Sequence, residues 1–155
     1  MQAEPNISRS RFIITPERAR VDETVRIRLL HLLPGQLITI RMVIHDELGR
    51  ARGSWATFRA DGQGVVDVSE QHPLMGSYTE HDAMGLFWSL QPLASEPSYV
   101  VSPFQCSSLA PLTYELSAET AKQQIATARH ECFFWIEQQV VRQKLDQDMV
   151  ALPRF

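Results

Sequence analysis

The sequence predicts an all-β fold, a sandwich or a barrel, on two observations. Apolar and polar residues alternate through most of the first hundred residues. Turn-forming residues separate the alternating runs at the short, regular spacing that sandwiches and barrels show.

Phe12 to Thr15 forms the first alternating run. Val25, Ile27 and Leu29 define the second, and Ile38, Ile40, Met42 and Ile44 the third, each with a more polar set between. Pro34-Gly35 and Glu47-Leu48-Gly49 punctuate these runs, while Asp61-Gly62-Gln63-Gly64 separates the stretch around Trp55 and Phe58 from Val65 to Val68. Hairpins are expected at these turns. Residues 93–112, with Pro97, Pro103 and Pro111 among serines, read as a surface excursion. Thr113 to Ser117 alternates again.

From Ser117 to Arg129 two readings stay open. Good helix formers and a possible cap favour a helix, whereas a strand would place Ala126, Ala128, His130, Cys132 and Phe134 on one face. Ile136, Val140, Val141 and Leu145 recur at helical spacing, so the C-terminal tail is helical or extended. The resulting partition is a flexible N-terminus over 1–10, a β-domain over 11–134 and an extension over 135–155.

A chain of 155 residues with 44% hydrophobic content buries a core without needing a metal or disulfide. Its net charge of −3, with no cluster of basic residues, argues against nucleic acid as a partner. Arg26, Arg28 and Arg41 alternate with apolar residues as a solvated strand face does. No apolar export core or membrane-length segment is present, so a cytoplasmic setting is expected, with Cys106 and Cys132 as free thiols.

Residues 76–92, Gly-Ser-Tyr-Thr-Glu-His-Asp-Ala-Met-Gly-Leu-Phe-Trp-Ser-Leu-Gln-Pro, are the most distinctive stretch. Together with Asp22-Glu23 and Leu33-Pro34-Gly35-Gln36 ahead of two strands, the run from Gly64 to Pro92 resembles the N-terminal domain of the acyl-CoA thioesterase and bile acid-CoA:amino acid N-acyltransferase family. The likeness is continuous from about Thr15 to Pro92 and thin from Leu93 to about Phe134. Where the family usually has Asp-Pro-Met-Gly, this chain has Asp82-Ala83-Met84-Gly85, which removes a fixed φ.

The resemblance implies an immunoglobulin-like β-sandwich, and it favours a hairpin and strand over 117–134. It also implies that residues 135–155 correspond to an interdomain linker, and that chemistry resides in a second, α/β-hydrolase domain acting on an acyl-CoA thioester. That chemistry needs a nucleophile on a sharp turn flanked by glycines. Here only Gly49 and Gly53 have that spacing, with Ala51 between them, so no nucleophile elbow is expected and the chain alone is expected to be inactive.

Other catalytic and metal readings are weaker. Cys132 and His130 would share a strand face, but a buried thiol beside a satisfied imidazole is the commoner outcome. His72, His81 and Asp82 lack short ligand spacing, and no glycine-rich loop would cradle the phosphates of coenzyme A. No catalytic, cofactor or metal residue is therefore assigned, and acyl-CoA would be met only indirectly.

Met84, Leu86, Phe87, Trp88 and Leu90 span both alternating faces. They read either as a strand with one face against a neighbouring domain or as a buried central strand and its loop. The candidate interface residues are Ser77, Tyr78, Glu80, His81, Met84, Leu86 and Trp88. The expected partner is an α/β-hydrolase domain in cis or trans, or another copy of the chain; a stand-alone, self-associating module is the alternative.

Overall fold

Each alternating run becomes a strand whose apolar set points inward. The computed structural model describes residues 9–93, 104 and 110–134. In β1 (Arg11–Thr15) and β3 (Arg26–Leu30), Phe12, Ile14, Ile27 and Leu29 turn toward the core, as does Val25 just ahead of β3. These two strands pair antiparallel, and β6 (Val66–Asp67) completes a three-stranded sheet in the order β1-β3-β6.

The second sheet is wider. It runs β2 (Arg18–Arg20), β10 (Gln124–Phe133), β9 (Leu112–Glu119), β4 (Leu37–His45) and β5 (Ala51–Arg59). Two-residue strands β7 (Met75–Gly76) and β8 (Gln91–Pro92) both pair with the remaining side of β5. One helical turn, α1 (Gly85–Trp88), precedes β8.

The core lies between the sheets. Val25, Ile27, Leu29, Val66 and Val68 on one side meet Ile38, Ile40, Met42, Ala56, Phe58, Leu116 and Ala118 on the other. Each large side chain fully buried there contributes roughly 1.5–3 kcal/mol of transfer free energy. This is an all-β sandwich, as the alternation and the family resemblance predict. The strand reading of 117–134 also holds: β9 and β10 form a hairpin, and Ala126, Ala128, His130 and Cys132 face inward.

Two of the expected hairpins are not hairpins. Pro34-Gly35 joins β3 to β4, and Asp61–Gly64 joins β5 to β6, so both turns carry the chain from one sheet to the other. Turn residues set a reversal; they do not determine whether the flanking strands pair. The two crossovers are instead tied to each other, with the Leu32 N–H donating to the Gly64 carbonyl and the Gly35 N–H to the Ala60 carbonyl, both at 2.9 Å. Only Glu47-Leu48-Gly49 is a hairpin as expected, joining β4 to β5. The strand expected over Val65 to Val68 is reduced to Val66–Asp67. The proline-rich excursion lies largely, and the C-terminal tail wholly, outside the described residues, as does Cys106.

Gly64 illustrates how tight the crossover is. It has φ of +72°, and a Cβ there would overlap the Leu32 carbonyl. Backbone strain and the clash together predict that Gly64→Ala costs about 3 kcal/mol. Gly62→Ala, which faces open space, should be close to neutral. Urea midpoints of the two variants test this; equal stabilities would refute the role of the crossover.

Candidate functional site

The distinctive segment folds around one carboxylate. Asp82 begins a turn in which its carbonyl accepts the Gly85 N–H at 3.1 Å, and Met84 has φ −101° and ψ 8°, as the third residue of a type I turn does. One carboxylate oxygen of Asp82 accepts the Met84 N–H at 2.8 Å. The other accepts the Trp88 indole N–H, also at 2.8 Å. Asp82 thus fixes both the entry to α1 and the ring that leaves its last residue.

Leu86 anchors the turn. Its side chain is fully buried between the sheets, and its carbonyl accepts a hydrogen bond from Ser54 Oγ on β5 at 2.5 Å. The Tyr78 ring lies so close to Gly85 that any Cβ there would overlap it. Tyr78 also meets Trp88 edge-on, with centroids 6.0 Å apart. Met84 Sδ accepts the Val25 N–H at 3.2 Å, and Phe87 packs edge-on against Tyr114 at 5.0 Å, so the turn reaches both sheets.

Ser77 secures the edge of the large sheet. Its Oγ accepts the Trp55 N–H and donates to the Trp55 carbonyl, both at 3.1 Å, and lies 2.7 Å from Ser89 Oγ. On either side of this point β7 and β8 pair with β5.

The segment is neither of the two strands considered from sequence. A single helical turn explains how residues on both alternating faces can lie close together, because helical geometry puts Leu86 inside while Trp88 turns out. Among the candidate interface residues, Tyr78 and Leu86 belong to the core, while Ser77 and Met84 are half-buried. Glu80, His81 and Trp88 are exposed, Trp88 at 57%. Sequence reasoning missed Asp82 as the organiser, although an aspartate three residues before a glycine is a turn signal. It also missed Met75 and Leu93, each 58% exposed, which flank β5 beside the turn.

The weaker chemical readings resolve as follows. His130 and Cys132 both face the core, but among the described residues neither ring nitrogen of His130 has a hydrogen-bond partner, so no thiol–imidazole pair forms. Burial, reinforced by the Glu23 charge, pushes the Cys132 thiol up to about 11, the reverse of an activated nucleophile. Burial and the Asp82 carboxylate likewise raise the Tyr78 hydroxyl. Asp82 is committed to its two donors, whereas His72 and His81 come together, with ring centroids 5.2 Å apart. Among the described residues no group of three or more His, Cys, Asp or Glu is placed to hold a metal.

The fold and this segment define a β-sandwich domain with an ordered aromatic loop at one sheet edge. The chain belongs to the family described as the acyl-CoA thioester hydrolase/BAAT N-terminal region, whose model matches residues 22–147. It is 42% identical over 78 residues to the human (Homo sapiens) bile acid-CoA:amino acid N-acyltransferase, covering 50% of this chain and 19% of that protein. Mouse (Mus musculus) acyl-coenzyme A amino acid N-acyltransferase 1 is 39% identical over 82 residues, covering 53% and 20%. Rat (Rattus norvegicus) acyl-coenzyme A thioesterase 1 is 37% identical over 71 residues, covering 46% and 17%. The matched part of the chain therefore spans about a fifth of the length of these relatives.

Ala83 stands at the second position of the Asp82 turn, where proline is favoured, and its N–H takes part in no hydrogen bond among the described residues. Ala83→Pro is therefore expected to stabilise the domain by about 0.4–1 kcal/mol by restricting the unfolded chain. A lower urea midpoint would contradict the turn assignment.

Burial also lowers the His130 imidazole below its ordinary value, an effect opposed by the nearby Glu131 charge. Above about pH 6.5 the folded and unfolded states are both neutral at this residue; below it the unfolded chain takes up a proton first. Stability should fall with decreasing pH, by at most about 1.4 kcal/mol per pH unit from this group, until the folded state also protonates. Urea titrations between pH 7.5 and 5 should show a shallower decline for His130→Leu than for the parent chain. Equal slopes would exclude His130 as the source.

Proposed function

We propose that this chain is an accessory β-sandwich domain that packs on an α/β-hydrolase catalytic domain of acyl-CoA thioesterase or acyl-CoA:amino acid acyltransferase type, in cis or in trans. It would help shape the mouth of the acyl-CoA site and supply no group to the reaction. The setting would be cytoplasmic; among the described residues no helix is long and apolar enough to cross a membrane.

The observation that carries this reading is the presentation of Trp88. A large aromatic residue, more than half exposed, is held in a fixed direction by Asp82, and Met75 and Leu93 are exposed where β7 and β8 pair with β5. Ordered aromatic and apolar side chains at a surface suit a protein interface, where such residues contribute much of the binding energy. The family description, an N-terminal region, and the coverage of about a fifth of each relative favour a further domain as the occupant. The same rim suits self-association, which is the alternative reading.

The purified chain is expected to release no thiol from short- to long-chain acyl-CoA thioesters, with Cys106→Ala and Cys132→Ala variants excluding direct thiol exchange. It should bind the catalytic portion of a relative freed of its own N-terminal region, and Trp88→Ala should weaken that binding roughly tenfold or more. Turnover by the chain alone that survives both cysteine substitutions would overturn the accessory role. Concentration-dependent dimerisation abolished by Trp88→Ala, without binding to the catalytic portion, would favour self-association.

A further inference from the structure

We propose that His72 and His81 form a two-imidazole binding site for a divalent transition-metal ion of the zinc or copper type. The residues are nine apart in sequence, yet the loop brings their ring centroids to 5.2 Å. An ion held ~2.1 Å from one nitrogen of each ring in near-tetrahedral geometry would set the centroids roughly 5 Å apart, so the observed separation fits joint ligation.

The hydrogen bonding selects the nitrogen at one of the two positions. His81 Nε2 bonds to the Ser69 carbonyl. A carbonyl can only accept, so Nε2 carries the proton and Nδ1 retains the lone pair that a metal requires. A backbone carbonyl behind the distal nitrogen is also how metal-bound imidazoles are commonly oriented.

The loop behind this carbonyl is ordered. Asp67 accepts hydrogen bonds from the Ser69 N–H and hydroxyl, Gln71 donates its backbone N–H to the Asp67 carbonyl, and the Gln71 side chain donates to the Arg59 carbonyl. Both histidines are exposed, so an ion has direct access. No third His, Cys, Asp or Glu joins them among the described residues, leaving the other positions to water. Such a site would be open and exchangeable. Imidazole donors and the ordinary affinity series favour copper(II) over zinc(II). His81 directly precedes Asp82, so metal binding would also stiffen the approach to the residue that holds Trp88.

The test is calorimetric titration of zinc chloride and copper(II) chloride into the full, untagged chain near pH 7.5, with Cys106→Ser present to remove that thiol. One equivalent of each ion should bind, copper(II) more tightly. His72→Ala and His81→Ala should each weaken binding roughly tenfold or more, while His45→Ala, whose imidazole is also exposed, should leave it unchanged. Urea midpoints measured without metal would establish that the variants remain folded. In amide NMR spectra, copper(II) should broaden first the signals of Ser69, His72 and His81. Binding unaltered in His72→Ala and His81→Ala, or equal loss in His45→Ala, would overturn the proposal, as would failure of the parent chain to bind either ion.

Discussion

The seating of Leu86 between the sheets holds the distinctive loop to the sandwich. A four-residue helical turn is too short to persist alone in water, because nucleation costs more than its few hydrogen bonds return. Here the turn is held by tertiary contacts: Leu86 enters the core, Ser54 satisfies its carbonyl, and Phe87 covers Tyr114. The close approach of Tyr78 to residue 85 then admits only glycine. A seven-stranded sheet facing one of three strands leaves inner surface to be covered, and this loop supplies part of the cover.

The same packing tolerates two polar exceptions. Tyr78 and His130 are almost wholly buried, yet among the described residues the Tyr78 hydroxyl and both His130 nitrogens lack hydrogen-bond partners. An unsatisfied buried polar group costs on the order of 1–3 kcal/mol. Both rings, however, make edge-on aromatic contacts: Tyr78 with Trp88, and His130 with Phe87 at 6.2 Å. Aromatic packing offsets part of that cost, and each residue joins the loop containing α1 to the body of the sandwich.

Strand identity was readable because the alternating pattern reflects burial directly: Ile38, Ile40, Met42 and Ile44 all point inward as their spacing requires. Strand partnership was less readable. Pro34-Gly35 and Asp61–Gly64 make turns regardless of whether the next strand stays in the sheet or crosses over, and that choice depends on packing between distant strands. The family resemblance singled out the correct segment without revealing its conformation, since Gly85–Trp88 is helical only because Asp82 and the core beneath hold it so. The meeting of His72 and His81 likewise depends on how the loop returns past Ser69, which sequence spacing does not encode.

The surface chemistry also limits how a partner could approach. The outer face of the wide sheet carries ion pairs between Arg41 and Glu119, Arg129 and Glu115, and Arg18 and Glu131. Exposed pairs of this kind contribute little to stability and would have to be desolvated on docking. The outer side of β5 differs. There Ser77 already occupies both the N–H and the carbonyl of Trp55, while β7 and β8 occupy the positions on either side. These bonds block a partner from adding a continuous strand, a common hazard at a sheet edge. Contact at this edge must therefore be made by side chains, and large apolar ones exposed around it include Leu74, Met75, Trp88 and Leu93. A carboxylate that fixes the central ring before contact reduces the conformational entropy that docking would otherwise cost.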